Sequence, residues 1–137
     1  MLKNRVIPCL LLKDKGLIKT INFKNPTYIG DPINAVRIFN DKEVDEIIFL
    51  DTTASKEKRP PDYDLISDIA SECFMPFCYG GGVDSLDCIK KLLKIGVEKV
   101  SMNTTAFKNL GLIKQASKMF GSQAIVVSVD VKKDILG

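Results

Sequence analysis

The sequence predicts an α/β protein with a parallel sheet, built from short repeated strand–helix units. Three observations predict it. Short runs rich in Val, Ile, Leu and Phe alternate with segments whose apolar residues recur at helical spacing. A polar residue or glycine closes successive strands, at Asp51, Gly80, Asn103 and Asp130, with a repeat of roughly 25 residues. The 137 residues are 45% hydrophobic and 27% charged, a globular composition with material for one core and no sign of disorder or low complexity.

The elements follow in order. Arg5 to Leu12 (RVIPCLLL) is a continuous apolar run, as in a strand buried on both faces. Lys13 to Gly16 is a turn, Leu17 to Phe23 a short hairpin excursion, and Lys24 to Gly30 a loop. Asp31-Pro32 starts a helix, with Asp as N-cap and Pro at the first helical position. Glu46 to Leu50 is the second strand, running into the polar loop Asp51 to Arg59. Asp62 to Ser71 is a helix with Leu65, Ile66 and Ile69 on one face. Pro76 to Tyr79 is a strand that meets Gly80-Gly81-Gly82, and the helix Ser85 to Lys94 stops at Gly96. Lys99 to Met102 is a strand, Leu110 to Phe120 a helix, and Ala124 to Val129 the fifth strand.

This order, βαβαβαβαβ, means a parallel sheet with right-handed crossovers. Near-regular short units without GxGxxG after the first strand favour a (β/α)8 barrel over a dinucleotide-binding sheet. Such a barrel takes about 250 residues, so residues 1–137 form its N-terminal half, from the first strand to the fourth helix plus the fifth strand. The sequence ends at Lys132-Lys133-Asp134-Ile135-Leu136-Gly137, which reads as a fragment or as half-barrels that self-associate.

Composition also prunes the chemistry. There is no histidine, so Ser-His-Asp, Cys-His and histidine–metal sites are excluded, and no metal or cofactor is expected. Cys9, Cys73, Cys78 and Cys88 form no CxxC pair, and Cys9 and Cys78, set in apolar runs, read as buried packing thiols. A net charge of +3 gives no nucleic-acid footprint. No run approaches a membrane span and no signal peptide is evident, so the expected location is the cytoplasm.

In barrels of this kind the site lies at the C-terminal ends of the strands. There the triple glycine bares backbone N–H groups ahead of a helix, and Asn103-Thr104 adds short polar side chains, which suits a phosphate. Asp51 and Asp130 are placed either for proton transfer or for capping a loop. Lys19 is read as solvated from position alone. At the opposite end, Arg5, Glu46 and Lys99 open strands, and their plain reading is surface charge.

The stretches RVIPCLLLKD, NFKNPTYIGDP, VDEIIFLDTTAS, PFCYGGGV, EKVSMNTTA and FGSQAIVVSVD resemble the N-terminal half of the cyclase subunit of imidazole glycerol phosphate synthase, over nearly the whole chain. The resemblance implies a (β/α)8 barrel of two similar halves, each with a phosphate site. It implies a glutaminase partner that feeds ammonia through the barrel, and a phosphorylated small-molecule substrate. In that family ammonia joins a phosphoribulosyl-formimino carboxamide ribotide to give imidazole glycerol phosphate and an aminoimidazole carboxamide ribotide.

By the same resemblance Gly81, Gly82, Asn103 and Thr104 bind phosphate, Lys19 lies in a mobile loop, and Asp51 lies in the substrate cleft. Arg5, Glu46 and Lys99 match a charged ammonia gate, which replaces the surface-charge reading, and Asp130 matches one of two acid/base aspartates. The other aspartate's position holds Leu11, which cannot transfer a proton. This departure resembles paralogues in surface-polysaccharide gene sets, which are thought to pass ammonia to an amidotransferase that builds acetamidino sugars. The expected chemistry is therefore altered or lost cyclase activity.

Overall fold

The computed structural model describes residues 3–131. The segments 1–2 and 132–137, including the Lys132–Gly137 end, lie outside the described residues. The strands are β1 (Cys9–Lys13), β2 (Gly16–Ile21), β3 (Lys24–Gly30), β4 (Ile47–Asp51), β5 (Phe77–Gly80), β6 (Lys99–Met102) and β7 (Ile125–Val127). The helices are α1 (Pro32–Asp41), α2 (Tyr63–Glu72), α3 (Leu86–Ile95), α4 (Thr104–Lys108) and α5 (Leu110–Phe120). One sheet holds every described strand, in the order β3-β2-β1-β4-β5-β6-β7. From β1 through β4, β5 and β6 to β7 all pairings are parallel. This is the barrel-type half sheet that the strand–helix alternation predicts. No helix among the described residues is long and apolar enough to cross a membrane.

Local chemistry sets the helix starts. Asp31, Asp62, Ser85 and Asn109 each accept a hydrogen bond from the backbone N–H three residues on, at 2.9–3.2 Å. Gly96 ends α3 at φ +121°, where a side chain would be strained.

The strand alternation divides the sheet into two unlike faces. Outward residues such as Leu12, Phe49, Tyr79 and Val100 are at most 2% exposed and pack under the helices on Val36, Ile66, Ile89 and Leu92. Phe49 and Phe77 meet edge to face at 6.3 Å. Inward, Leu11, Leu50, Gly80, Ser101 and Val126 stand side by side across the parallel strands. Leu11, Leu50 and Val126 of that row are only half-buried.

Three expectations change. Lys24–Gly30 is a strand, not a loop, and with β2 it makes an antiparallel hairpin on the sheet edge. Pro26 is tolerated there because an edge strand has one unpaired side. The first strand begins at Cys9 rather than Arg5. Pro8 has no N–H to donate, and the backbone before Cys9 meets its neighbour's backbone through the Val6 and Pro8 carbonyls, which accept from Asp45 and Ile48 at 3.1 and 2.8 Å, while Val6 N–H donates to the Asp45 side chain. Cys9 is exposed rather than buried, because it precedes the β1–β2 pairing at Leu11 to Lys13 and has a strand neighbour on one side only, whereas Cys78, in the same inward row between β4 and β6, is buried, as is Cys88.

Candidate functional site

The parallel strands run in one direction, so their C-terminal ends and the loops after them gather at one rim. A cavity of about 570 Å³ opens there. Its wall includes Asp51, Gly80-Gly81-Gly82, Asn103, Thr104 and Asp130, so residues far apart in the sequence share one chamber. Leu11 and Leu50 form its apolar floor, and Ser101, Thr105 and Ser128 add hydroxyls. Lys13 and Lys56 supply cationic side chains.

The glycine turn is shaped by its neighbour as well as by any ligand. Gly81 and Gly82 have φ of +120° and +68°. A Cβ on Gly81 would lie 2.6 Å from the Asp51 carbonyl, and one on Gly82 would lie 2.6 Å from the Arg59 carbonyl. Both the left-handed backbone and the close approach of the loop after β4 demand glycine. Gly82 N–H donates to Ser55 Oγ at 3.3 Å. Thr105 Oγ1 donates to the Val83 carbonyl at 2.8 Å and ties α4 to this turn.

Asp51 follows Phe49 by two positions and pairs with Leu12, so its side chain lies on the helix side of β4. Its carboxylate is 8% exposed. Oδ1 accepts from Thr53 N and Ala54 N, both at 3.0 Å. Arg59 Nη2 lies 3.0 Å from Oδ1 and 2.9 Å from Oδ2. Arg59 also donates to Thr53 Oγ1 at 2.8 Å and, through Nε, to Glu57 at 2.7 Å. The Glu57 hydrogen bond, joined by the hydrogen bond and charge of Asp51, raises the Arg59 pKa against the opposing effect of burial.

Asp130 is exposed, and its Oδ2 accepts from Asn103 Nδ2 at 2.7 Å. Asn103 makes no side-chain cap to α4, so its amide is committed to that carboxylate. Lys19 stands apart: it is exposed on β2, in the hairpin rather than in a loop, and lines a separate shallow groove with Cys9 and Ile29. Among the described residues no cluster of His, Cys, Asp and Glu could hold a metal ion.

At the other end of the strands the charges meet. Glu46 is 3% exposed. Lys99 Nζ lies 2.8 and 2.9 Å from its two oxygens, and Arg5 Nη2 lies 2.9 Å from Oε2. A carboxylate can stay ionised at that depth only with such partners. Scattered surface charge does not describe this end. Beside it the pKa of Cys78, the β5 neighbour of Lys99, is pushed up to about 12, mainly by burial, with Glu46 adding to the rise and Lys99 opposing it.

Sequence reasoning missed Arg59, Ser55, Lys13 and Thr105. Arg59 closes the polar loop Asp51 to Arg59, but its partner eight residues back has no spacing rule to reveal it. Lys13 carried a signal in hindsight: it ends β1, at the level where the other strands present their polar ends.

The comparisons with known proteins agree with this geometry. A family profile described as "Histidine biosynthesis protein" matches residues 5–137. A provisionally named imidazole glycerol phosphate synthase subunit hisF2 of Pseudomonas aeruginosa is 56% identical over 137 residues, 100% of this chain and 55% of that protein. The imidazole glycerol phosphate synthase subunit HisF of Streptococcus mutans is 43% identical over 134 residues, 98% of this chain and 53% of that protein. That of Methanocaldococcus jannaschii is 44% identical over 133 residues, 97% of this chain and 49% of that protein. The chain thus spans about half the length of these relatives. With the family profile covering all but the first four residues and the strand ends assembled as such a barrel requires, the chain belongs to the histidine biosynthesis protein family.

Proposed function

We propose that this chain is the phosphate-binding and ammonia-receiving half of a HisF-like subunit whose cyclase chemistry is altered or lost. The observation that carries the reading is the composition of the rim cavity: phosphate-type donors are present, and an acid/base pair is not. Gly81, Gly82 and Thr104 line the chamber with small residues and backbone that a phosphoryl group can approach. Of the carboxylates there, Asp51 is clasped by Arg59 and faces its own loop, which leaves Asp130 as the proton-transfer group. Opposite it the floor is Leu11, an alkyl chain with no proton to give or take. Removing one general acid or base costs about two to four orders of magnitude in rate.

The buried Glu46 held between Arg5 and Lys99 supports the second part. In this reading a glutaminase subunit docks at that end and ammonia enters past the triad in the cytoplasm. A phosphorylated small molecule occupies the rim. The apolar Leu11 favours a variant of the same reading, in which the ammonia goes on to an amidotransferase of surface-polysaccharide sugar synthesis.

Complementation of a histidine auxotroph lacking its cyclase subunit tests the chemistry, using the full-length protein that carries this chain. No growth with Leu11 and growth with Leu11→Asp is the expected result. Growth with the unmodified protein would show that Leu11 does not disable cyclisation and would remove the ammonia-transfer variant's main support.

A further inference from the structure

An anion site and a buried carboxylate are poor neighbours, yet here they share a wall. Asp51 is in contact with the glycine turn: a Cβ on Gly81 would lie 2.7 Å from the Asp51 Cβ. An uncompensated carboxylate at that distance would repel a phosphoryl group from the Gly81–Gly82 backbone. The protein spends one side chain on this problem. Arg59 places a single nitrogen, Nη2, within 3.0 Å of both Asp51 oxygens. The backbone of the same residue packs on the turn, with its carbonyl 2.6 Å from the position a Gly82 Cβ would take.

We propose that Arg59 is a positioning residue that makes the rim competent for anions, by cancelling the Asp51 charge and holding the loop after β4 against the glycine turn. The inference rests on the phosphate site proposed above and adds to it a residue and a reason. The surroundings strengthen the effect. Tyr79, immediately before the turn, is 1% exposed, and its Oη has no hydrogen-bond partner among the described residues. Burial raises its pKa, with Asp51 adding to the rise, so the phenol stays neutral and supplies no charge of its own. Beneath the turn the medium is therefore poorly polarisable, and the Asp51 charge is felt strongly unless a cation answers it. Thr53 and Ala54 hydrogen bonds orient Asp51 but carry no net charge, so they cannot replace Arg59. Lys13 and Lys56 also line the cavity and have no ion-pair partner among the described residues, which leaves them for the ligand while Arg59 serves Asp51.

Charge cancellation predicts a rescue that a purely structural role does not. Inorganic phosphate is titrated against the wild type, Arg59→Ala, Arg59→Lys and the double variant Arg59→Ala/Asp51→Asn, with circular dichroism to confirm folding. Arg59→Gln, which keeps a donor and loses the charge, replaces Arg59→Ala if the alanine variant does not fold. The expected result is a loss of about tenfold or more in phosphate affinity for Arg59→Ala or Arg59→Gln. Arg59→Lys should recover most of that loss. The double variant should return to within about threefold of wild type, because the repelling charge is gone. Wild-type affinity in Arg59→Ala, or a double variant as weak as the single, would overturn the role given to Arg59 while leaving the phosphate site standing. A wild type that does not bind phosphate would remove the site itself and this inference with it.

Discussion

The two ends of the sheet each bury a carboxylate against an arginine, and they do so in opposite ways. At the N-terminal end Glu46 draws its cations from far along the chain, Arg5 at 41 residues and Lys99 at 53. At the C-terminal end Asp51 is served by its own loop, from Thr53 at two residues to Arg59 at eight. The first arrangement ties together segments that are distant in sequence, and both of its cations are already paired with the same carboxylate. The second organises one loop and, by using Arg59 for Asp51, leaves the glycine turn, Thr104 and two lysines for a ligand. Charge at a strand end is therefore not itself a sign of a binding site. What matters is whether the fold has already paired it.

The largest effect that sharpens this contrast is at the glycine turn. Gly81→Val forces a β-branched residue to φ +120° and drives its Cβ into Asp51 backbone. A loss of about 3 kcal/mol is expected from strain and clash together. Urea unfolding measures it, and a cost below about 1 kcal/mol would mean that the loop after β4 yields easily and that the two segments are not one unit.

Next comes the N-terminal triad. Glu46→Gln leaves Lys99 and Arg5 without their counter-charge, but Lys99 is 30% and Arg5 55% exposed and both can turn to water. The expected loss is about 1–2 kcal/mol, below the cost of stranding a fully buried ion. Arg5→Ala should cost under about 1 kcal/mol, since an exposed partner contributes little. If Arg5→Ala costs more than Glu46→Gln, the triad is held by Arg5 rather than by the buried carboxylate, and the contrast with Asp51 fails.

Much of this was legible in the sequence, for reasons that differ by element. Helices α1, α3 and α5 announced themselves through Asp31-Pro32, Ser85 with Gly96, and the Leu110–Phe120 pattern, because caps and periodicity are local chemistry. The rim residues were legible because a period-two strand ending in Gly or Asn repeats along the chain. The hairpin was only half legible. Its two-residue turns use Asp14-Lys15 and Asn22-Phe23, all at positive φ, with no glycine at the second position to flag them. β3 is exposed along almost all its length, so it lacks the alternation that marks a half-buried strand. Short α4 was hidden because Asn103-Thr104-Thr105 reads equally well as a strand end. The Asp51–Arg59 clasp was out of reach, since a loop's internal pairing depends on a path that no period describes. Glu46 was legible as a charge but not as a buried one, because its burial is set by strands 40 residues and more away.

The smallest effect is also the most selective, because a native thiol reports on only one end. Cys78 lies at the N-terminal end, buried, its pKa raised to about 12 from an ordinary value of 9.0. Burial is the main cause, Glu46 adds to it and Lys99 works against it. Below pH 9 the thiol is protonated in folded and unfolded chains alike. Between about 9 and 12 the unfolded thiol ionises and the folded one does not, so this group's stabilisation is lost as pH rises through that window. Glu46→Gln removes one raising influence and frees Lys99 to favour the thiolate, so the folded pKa should fall. In a Cys9→Ser/Cys73→Ser/Cys88→Ser background, alkylation of Cys78 by iodoacetamide at pH 9.5 should then accelerate severalfold. Asp51→Asn, at the far end of the sheet, should leave that rate unchanged. Equal acceleration by both substitutions would mean that the thiol senses general loosening and not the triad. The two ends would then be coupled through the sheet rather than electrostatically separate.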